Sequence, residues 1–527
     1  MIFDILIKNG TVVDGTGQKN AYRADVGITG DKIFEVGDLS KAKAKKEIDA
    51  TGLIVAPGFV DVQNHSDSYG SLLRDNHLES LVRQGITTIL MGQCGSSLAP
   101  LIKGSLASIQ KWTAVEGFNI NWTSQAEFMA EMSRRGAGVN LATLVGHATL
   151  RRDFIGDSTR PLTSKEELQV GALLKRSLQE GALGLSVGLA YSHERLATEE
   201  EIHKLLRIVQ AHQGVASFHL RNEGPEIFAA VNEVFGFLRH VPVRSKISHL
   251  KILGEKNQAN AEKLLSMLEV ASRDGVPIYF DVYPYLASAV VLYLLLPDWA
   301  TSGGKNELIK RIKNPDTRKD IIRAMTAQNY PYDKITVATS SLGPTFTGKS
   351  LAEIAKAQNA AHPAEAALNL IVASRDQIIV FWHDVHEEIL EMMLKHPLAL
   401  IATDGSGYNI ANNTSGLIPH PRSFGTTAKI LGRYVREKKI LGLEEAVYKM
   451  SGLPAEWLGL KDRGIVAKNY YADLAIFDPK NIADLSTYEN PFKYPVGIKH
   501  VLVNGILAVE SEKYKKTLAG QVLGKNI

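Results

Sequence analysis

The chain has 527 residues, 45% of them hydrophobic and 22% charged, with 60 Lys+Arg against 56 Asp+Glu for a net charge of +4. These proportions suit a globular protein with a large core and exclude a disordered, collagen-like or coiled-coil chain. The charges form no run of like sign that would suggest a nucleic-acid or membrane partner.

The start, with Asp4 and no basic segment ahead of its apolar residues, does not read as a signal peptide. The longest apolar stretch, Leu286 to Pro297, is well short of the ~20 residues that cross a bilayer. A single cysteine, Cys94, rules out an internal disulfide, so a reducing cytoplasm is the expected compartment.

In chain order, residues 1–55 are strand-like. Phe3–Ile7, Asn9-Gly10 and Thr11–Val13 predict a hairpin, and Ala24–Ile28, Gly30-Asp31 and Lys32–Val36 predict another. The other end has the same character, with Ala472–Phe477, then Val501–Val503, Asn504-Gly505 and Ile506–Val509. Neither end alone makes a convincing core, so residues 1–55 and 464–527 are expected to build one β-sandwich domain together.

Residues 56–463 alternate short apolar runs with amphipathic helical ones, such as Lys165–Leu178 and Glu199–Val209. About eight apolar runs occur, at Gly58–Asp61, Thr87–Met91, Leu141–Val145, Ala182–Leu189, Val215–Phe218, Lys246–Ser248, Pro277–Val282 and Leu398–Ala402. That rhythm predicts an α/β fold, a (β/α)8 TIM barrel. Two connections are too long for simple crossovers, 97–139 and 288–397. The second contains a helix start at Gly348–Ile354 and is expected to be a lid insertion.

Polar residues follow the apolar runs. Asp61-Val62-Gln63-Asn64-His65 follows the first, Gln93-Cys94 the second, His219 the fifth, His249-Leu250-Lys251 the sixth and Thr403-Asp404 the eighth. The carboxyl ends of barrel strands converge on one face, so these side chains are expected to share one mouth. A lone cysteine or histidine is more often packing than a ligand. Jointly, Cys94, His219 and His249 offer a thiolate and two imidazoles, a zinc set with an open fourth position.

Longer segments then carry a resemblance: APGFVDVQNHSD, GITTILMGQCGSSLAP, LVGHATLR, GALGLSVGLAYS, FHLRNEG, FDVYPYLAS and HPRSFGTTAKILGRYVREK. With KNGTVVDGTG and ADLAIFDP at the two ends, the chain resembles the D-aminoacylases (N-acyl-D-amino-acid deacylases) of the amidohydrolase superfamily over nearly its whole length. The resemblance implies hydrolysis of the amide of a small-molecule N-acyl-D-amino acid. It implies Cys94, His219 and His249 as ligands of a tight zinc, and Asp404 as catalytic base. His65 belongs to a His-x-His pair that, with Asp404, serves a weaker second metal, and it is also an expected donor to the oxyanion. Lys251 and Arg422, neighboured by Tyr283 and Ser288, are implied to hold the substrate carboxylate.

The chain departs from that pattern at Gln63, where the first histidine of the pair is expected. A carboxamide is a poor zinc ligand, so the second site is expected to be weak or empty, with one tight Zn2+. Two alternatives stand beside the deacylase. One is a non-catalytic or repurposed barrel that binds acylated amino acids or peptides. The other is a cyclic-amide hydrolase, against which counts the absence of lysine from the fourth strand segment, ALGLSVGLAY. Arg221 and Glu223 are expected to pair behind His219, and His147 either to line the pocket or to pack in the barrel.

Overall fold

Both chain ends enter one nine-stranded sheet in the computed structural model, which describes residues 2–103, 105–109, 112–113, 119–412 and 418–524. From the amino-terminal part come Ile2–Val12, Tyr22–Thr29, Lys32–Gly37, Lys43–Asp49 and Ile54–Pro57; the carboxyl-terminal part adds Leu474–Phe477, Ile498–Val503, Ile506–Glu510 and Lys513–Tyr514. The halves meet where Leu474–Phe477 runs antiparallel to Ile54–Pro57, pairing Leu474 with Pro57 and Phe477 with Ile54. Ile7, Val26, Ile33 and Val55 from one end pack with Leu474, Ile476 and Leu502 from the other in a shared core.

One expected hairpin is corrected. Asn9-Gly10 is not a turn, because Ile2–Val12 is a single strand. Both its halves pair with the same neighbour, Ile7 with Val26 and Gly10 with Ala24, so the extra residue is absorbed as a bulge with Asn9 at φ 61°. A side chain at position 10 would meet Val55 at 2.6 Å, which explains glycine there. Asn504-Gly505 does turn, at φ 49° and 77°, between paired Val503 and Ile506.

The middle of the chain forms the expected barrel. Its eight strands are Phe59–Asp61, Ile86–Met91, Asn140–Thr143 continued by Val145–Gly146, Gly184–Gly188, Val215–His219, Arg244–Ile247, Ile278–Val282 and Ala399–Ile401. Recorded neighbours are parallel throughout. Closure between last and first strands comes from a bridge of Asn64 with Gly405 and from Thr403 N–H donating to Asp61 Oδ1 at 2.9 Å. Helix Ser164–Gln179 starts at Thr163, whose hydroxyl accepts from Glu166 N–H in a capping box. No helix among the described residues is long and apolar enough to cross a membrane.

Between the seventh and eighth strands lies a small antiparallel sheet of Ser288–Val291, Ile335–Ser340 and Ile378–Trp382. Ile335, Val337, Leu368, Ile371 and Val380 pack with the surrounding helices in a buried cluster that extends to Cys94, Trp112 and Tyr191 at the barrel mouth. Helix Leu351–Ala357 begins at Ser350 with a capping box to Glu353, the helix start legible in the sequence. Helix Glu387–Lys395 instead buries Ile389, Leu390 and Met393 in the barrel core.

This insertion contains a buried carboxyl group with a measurable consequence. Asp376 follows helix Pro363–Ser374, and its Oδ1 has no hydrogen-bond partner among the described residues. Burial raises its pKa from 3.8 to about 7, with Lys305 opposing. Between those values the folded protein holds a proton that the unfolded chain has released, so stability falls as pH rises through the window. Asp376→Asn removes this loss and is expected to stabilise the protein at pH 8 relative to pH 5 by on the order of 3 kcal/mol. Thermal melts at the two pH values check it; an equal effect at both would contradict the assignment.

Candidate active site

Three chain positions at the barrel mouth share an uncommon backbone. Cys94, His249 and Asp404 follow the second, sixth and eighth strands at φ 53°, 38° and 49°, in the left-handed region that non-glycine residues rarely adopt. Each strand ends by turning sharply, which aims the side chain back over the barrel axis. Backbone strain of this kind persists where surrounding structure enforces it, and it gathers at functional sites.

The cleft above these ends is lined by His65, Cys94, His219, His249, Lys251, Tyr283, Ser288, Asp404 and Arg422. Gln63 is fully buried beside Cys94. The insertion contributes Ala289, Val290 and Leu294, and Tyr69, Trp112 and Tyr191 complete the wall.

Cys94, His219 and His249 are all buried, and one ligand atom from each lies within 4.8 Å of the others. Cys94 Sγ is 3.5 Å from His249 Nε2, and that atom is 2.9 Å from His219 Nδ1. Ligands on tetrahedral zinc would stand about 3.5 Å apart for sulfur and nitrogen and about 3.3 Å for two nitrogens. The donor set therefore fits zinc in both chemistry and spacing. Burial alone would raise the Cys94 thiol, but the charge of His249 and hydrogen bonds from His219, His249 and His65 hold it well below its ordinary range. A lowered thiol pKa is what a metal-ligating cysteine requires.

His249 is fixed from behind by Glu223, whose Oε1 is 3.2 Å from Nδ1, leaving Nε2 to face the cluster. The same carboxylate takes Lys251 Nζ at 2.6 Å. The expected pairing of Arg221 with Glu223 is corrected here. Arg221 turns outward to Glu233, at 2.7 Å, on helix Ile227–His240. Glu223 thus supports His249 rather than His219. His147 is fully buried between Glu194 at 3.0 Å and Glu201 at 2.7 Å and does not line the cleft.

Asp404 is held between His65 and Arg422. Its Oδ1 lies 3.0 Å from His65 Nε2, and its Oδ2 is 2.7 Å from Arg422 Nη1. Burial pushes its pKa up, but Arg422, His249 and His65 together hold it well below the usual carboxylate range. Arg422 also stacks over Tyr283 at 4.6 Å. Three buried polar atoms on this wall have no hydrogen-bond partner among the described residues: Tyr283 Oη, Ser288 Oγ and Arg422 Nε. Buried polar atoms are rarely left without a partner, so this wall is suited to a polar ligand group.

The amidohydrolase family model matches residues 46–219 and 308–509. The chain is 33% identical to the D-aminoacylase of Alcaligenes xylosoxydans xylosoxydans, over 99% of this chain and 98% of that protein. The chain belongs to the D-aminoacylase branch of the amidohydrolase family. Two solved structures superpose on this amidohydrolase nearly end to end. One is a D-aminoacylase with a binuclear metal center, described in terms of one-metal activation and second-metal attenuation. It matches with a TM-score of 0.85 and 31% identity, covering 99% of this chain and 100% of that one. The other, an N-acyl-D-glutamate deacylase from Bordetella bronchiseptica, is complexed with zinc and a phosphonate inhibitor. It matches with a TM-score of 0.83 and 29% identity over the same shares.

Two features of this amidohydrolase site were not anticipated. Trp112 joins the wall from a segment without strand or helix periodicity, and Tyr191 from just past the fourth strand, at the end of GALGLSVGLAYS, where no charge or metal-ligating side chain singled it out. Lys246 reaches the site from inside the barrel. Its signal was a lysine in the interior of a strand otherwise buried, Ser245 to Ile247.

Proposed function

We propose that this chain is a zinc-dependent hydrolase that cleaves N-acyl-D-amino acids to a carboxylic acid and a free D-amino acid. The reading rests on one arrangement: a sulfur and two nitrogen donors beside the Asp404 carboxylate, in a cleft that also holds the unpartnered atoms Tyr283 Oη, Ser288 Oγ and Arg422 Nε. A zinc ion held by Cys94, His219 and His249 would supply Lewis acidity toward water and the scissile carbonyl. Asp404 accepts the proton of the attacking water and passes it to the leaving amine. His65, whose Nε2 is hydrogen-bonded to Asp404, orients that carboxylate and is assigned as the donor to the carbonyl oxygen once substrate draws it from Asp404.

Lys251 and Arg422 receive the substrate carboxylate, with Tyr283 and Ser288 beside them. As Arg422 turns to the substrate it shares less charge with Asp404, so the base gains proton affinity when substrate is in place. The D configuration follows the relatives. Gln63 leaves the position between His65 and Asp404 without a strong ligand, so one ion is assigned. A cytoplasmic setting suits a thiolate ligand.

The aromatic and aliphatic part of the cleft lining is Tyr69, Trp112, Tyr191, Ala289, Val290 and Leu294. The lysine and arginine lining the cleft are Lys251 and Arg422, both assigned to the α-carboxylate. N-acyl derivatives of apolar D-amino acids are therefore expected to be hydrolysed at least tenfold better than N-acyl-D-aspartate or N-acyl-D-glutamate. Amine release from zinc-loaded protein over a panel of N-acetyl-D- and L-amino acids tests both points. Hydrolysis of no member sinks the deacylase reading, and binding without hydrolysis would favour the repurposed barrel. A preference for the acidic substrates would overturn the side-chain assignment alone.

A further inference from the structure

Beneath the metal residues the barrel interior contains a second charged group. Lys246, on the sixth strand, is fully buried. Its Nζ donates to Asp281 Oδ2 at 2.6 Å and to Gln63 Oε1 at 2.5 Å. Asp281 is also fully buried, and its Oδ1 accepts the backbone N–H of His249 at 2.8 Å.

This arrangement decides which way the Gln63 amide points. Its oxygen faces the Lys246 ammonium, so its nitrogen faces the site, 3.3 Å from Cys94 Sγ and 3.5 Å from Asp404 Oδ1. An amide nitrogen has no lone pair for a metal, and it donates to the same two atoms a neighbouring cation would use. His65 Nε2 and Asp404 Oδ1, 3.0 Å apart, form the remaining pair of donors for a second ion. That ion would share a buried interior with the Lys246 ammonium, which stands on the Gln63 side of its Asp281 partner and repels a second cation to the extent that the pair leaves its charge uncancelled.

We propose that Lys246 is a built-in substitute for a second metal. Through Gln63 it presents hydrogen-bond donors where the second ion would bind, and it confines the chain to one tight metal. Lys246 is a positioning residue, acting through Gln63 and Asp281 without touching substrate. The proposal rests on Cys94, His219 and His249 binding the first ion. It goes beyond the identity of residue 63 in one testable way: histidine at that position is not enough to create a second site while Lys246 remains.

The test is zinc stoichiometry by equilibrium dialysis and elemental analysis, together with cobalt(II) titration followed by absorption. Wild type is expected to bind one equivalent. Gln63→His is also expected to bind one. The double variant Gln63→His/Lys246→Gln is expected to bind two, with the second ion at least tenfold tighter than any second binding in Gln63→His alone. If loss of Lys246 leaves Asp281 uncompensated and the double variant does not fold, adding Asp281→Asn removes both buried charges together. Two tight equivalents in wild type, or a second site in Gln63→His equal to that in the double variant, would overturn the proposal. No metal bound by wild type would instead overturn the underlying assignment of the first site.

Discussion

Asp404→Asn is expected to lower kcat about a thousandfold or more while the zinc content stays that of wild type. The carboxylate joins the two sides of the proposed site, with Oδ1 3.0 Å from His65 Nε2 and Oδ2 2.7 Å from Arg422 Nη1, the arginine proposed to hold the substrate carboxylate. Asparagine keeps the shape but cannot accept and return a proton, and general acid–base groups contribute about 10²–10⁴ in rate. The same change frees Arg422 from its carboxylate partner, so KM is expected to move less than kcat. Steady-state kinetics with an apolar N-acetyl-D-amino acid, alongside metal analysis, separates the two. Activity within tenfold of wild type would remove Asp404 from the role of base.

Cys94→Ala is expected to weaken zinc binding more than a hundredfold and to abolish activity at sub-micromolar free zinc. Even residues that only support ligands cost about 10–100-fold in affinity when lost, and a ligand costs more. In the proposed site Cys94 is the anionic donor, 3.5 Å from His249 Nε2, so its removal would leave two neutral imidazoles. Competition with a chromophoric chelator measures the loss. An alanine variant that binds zinc as wild type does would exclude Cys94 as a ligand. The fold should survive, because Cys94 already holds φ 53° and alanine asks nothing more of that turn than cysteine did.

The barrel was legible because its signals are local. Each strand is a short apolar run, and each crossover helix has its own periodicity and cap, as at Thr163–Glu166 and Ser350–Glu353. The Asn9-Gly10 segment shows the limit of such signals. The same dipeptide chemistry makes a turn at 504–505 and a bulge at 9–10, and the difference lies in whether one neighbouring strand spans both halves. Arg221 shows it again, since position after a strand does not reveal whether a long side chain turns inward to Glu223 or outward to Glu233.

By itself the sequence determined which side chains end on the active face. Carboxyl ends of parallel barrel strands converge, so Cys94, His219, His249 and Asp404 were readable from the runs they follow. Only the tertiary structure decided what those groups do to one another. Arg422 closes on Asp404, Glu223 steadies His249, and Lys246 reaches Gln63 across 183 residues of chain. Spacing along a strand says which face a residue takes. Distances between side chains from different strands depend on barrel closure, and closure is a property of the whole chain.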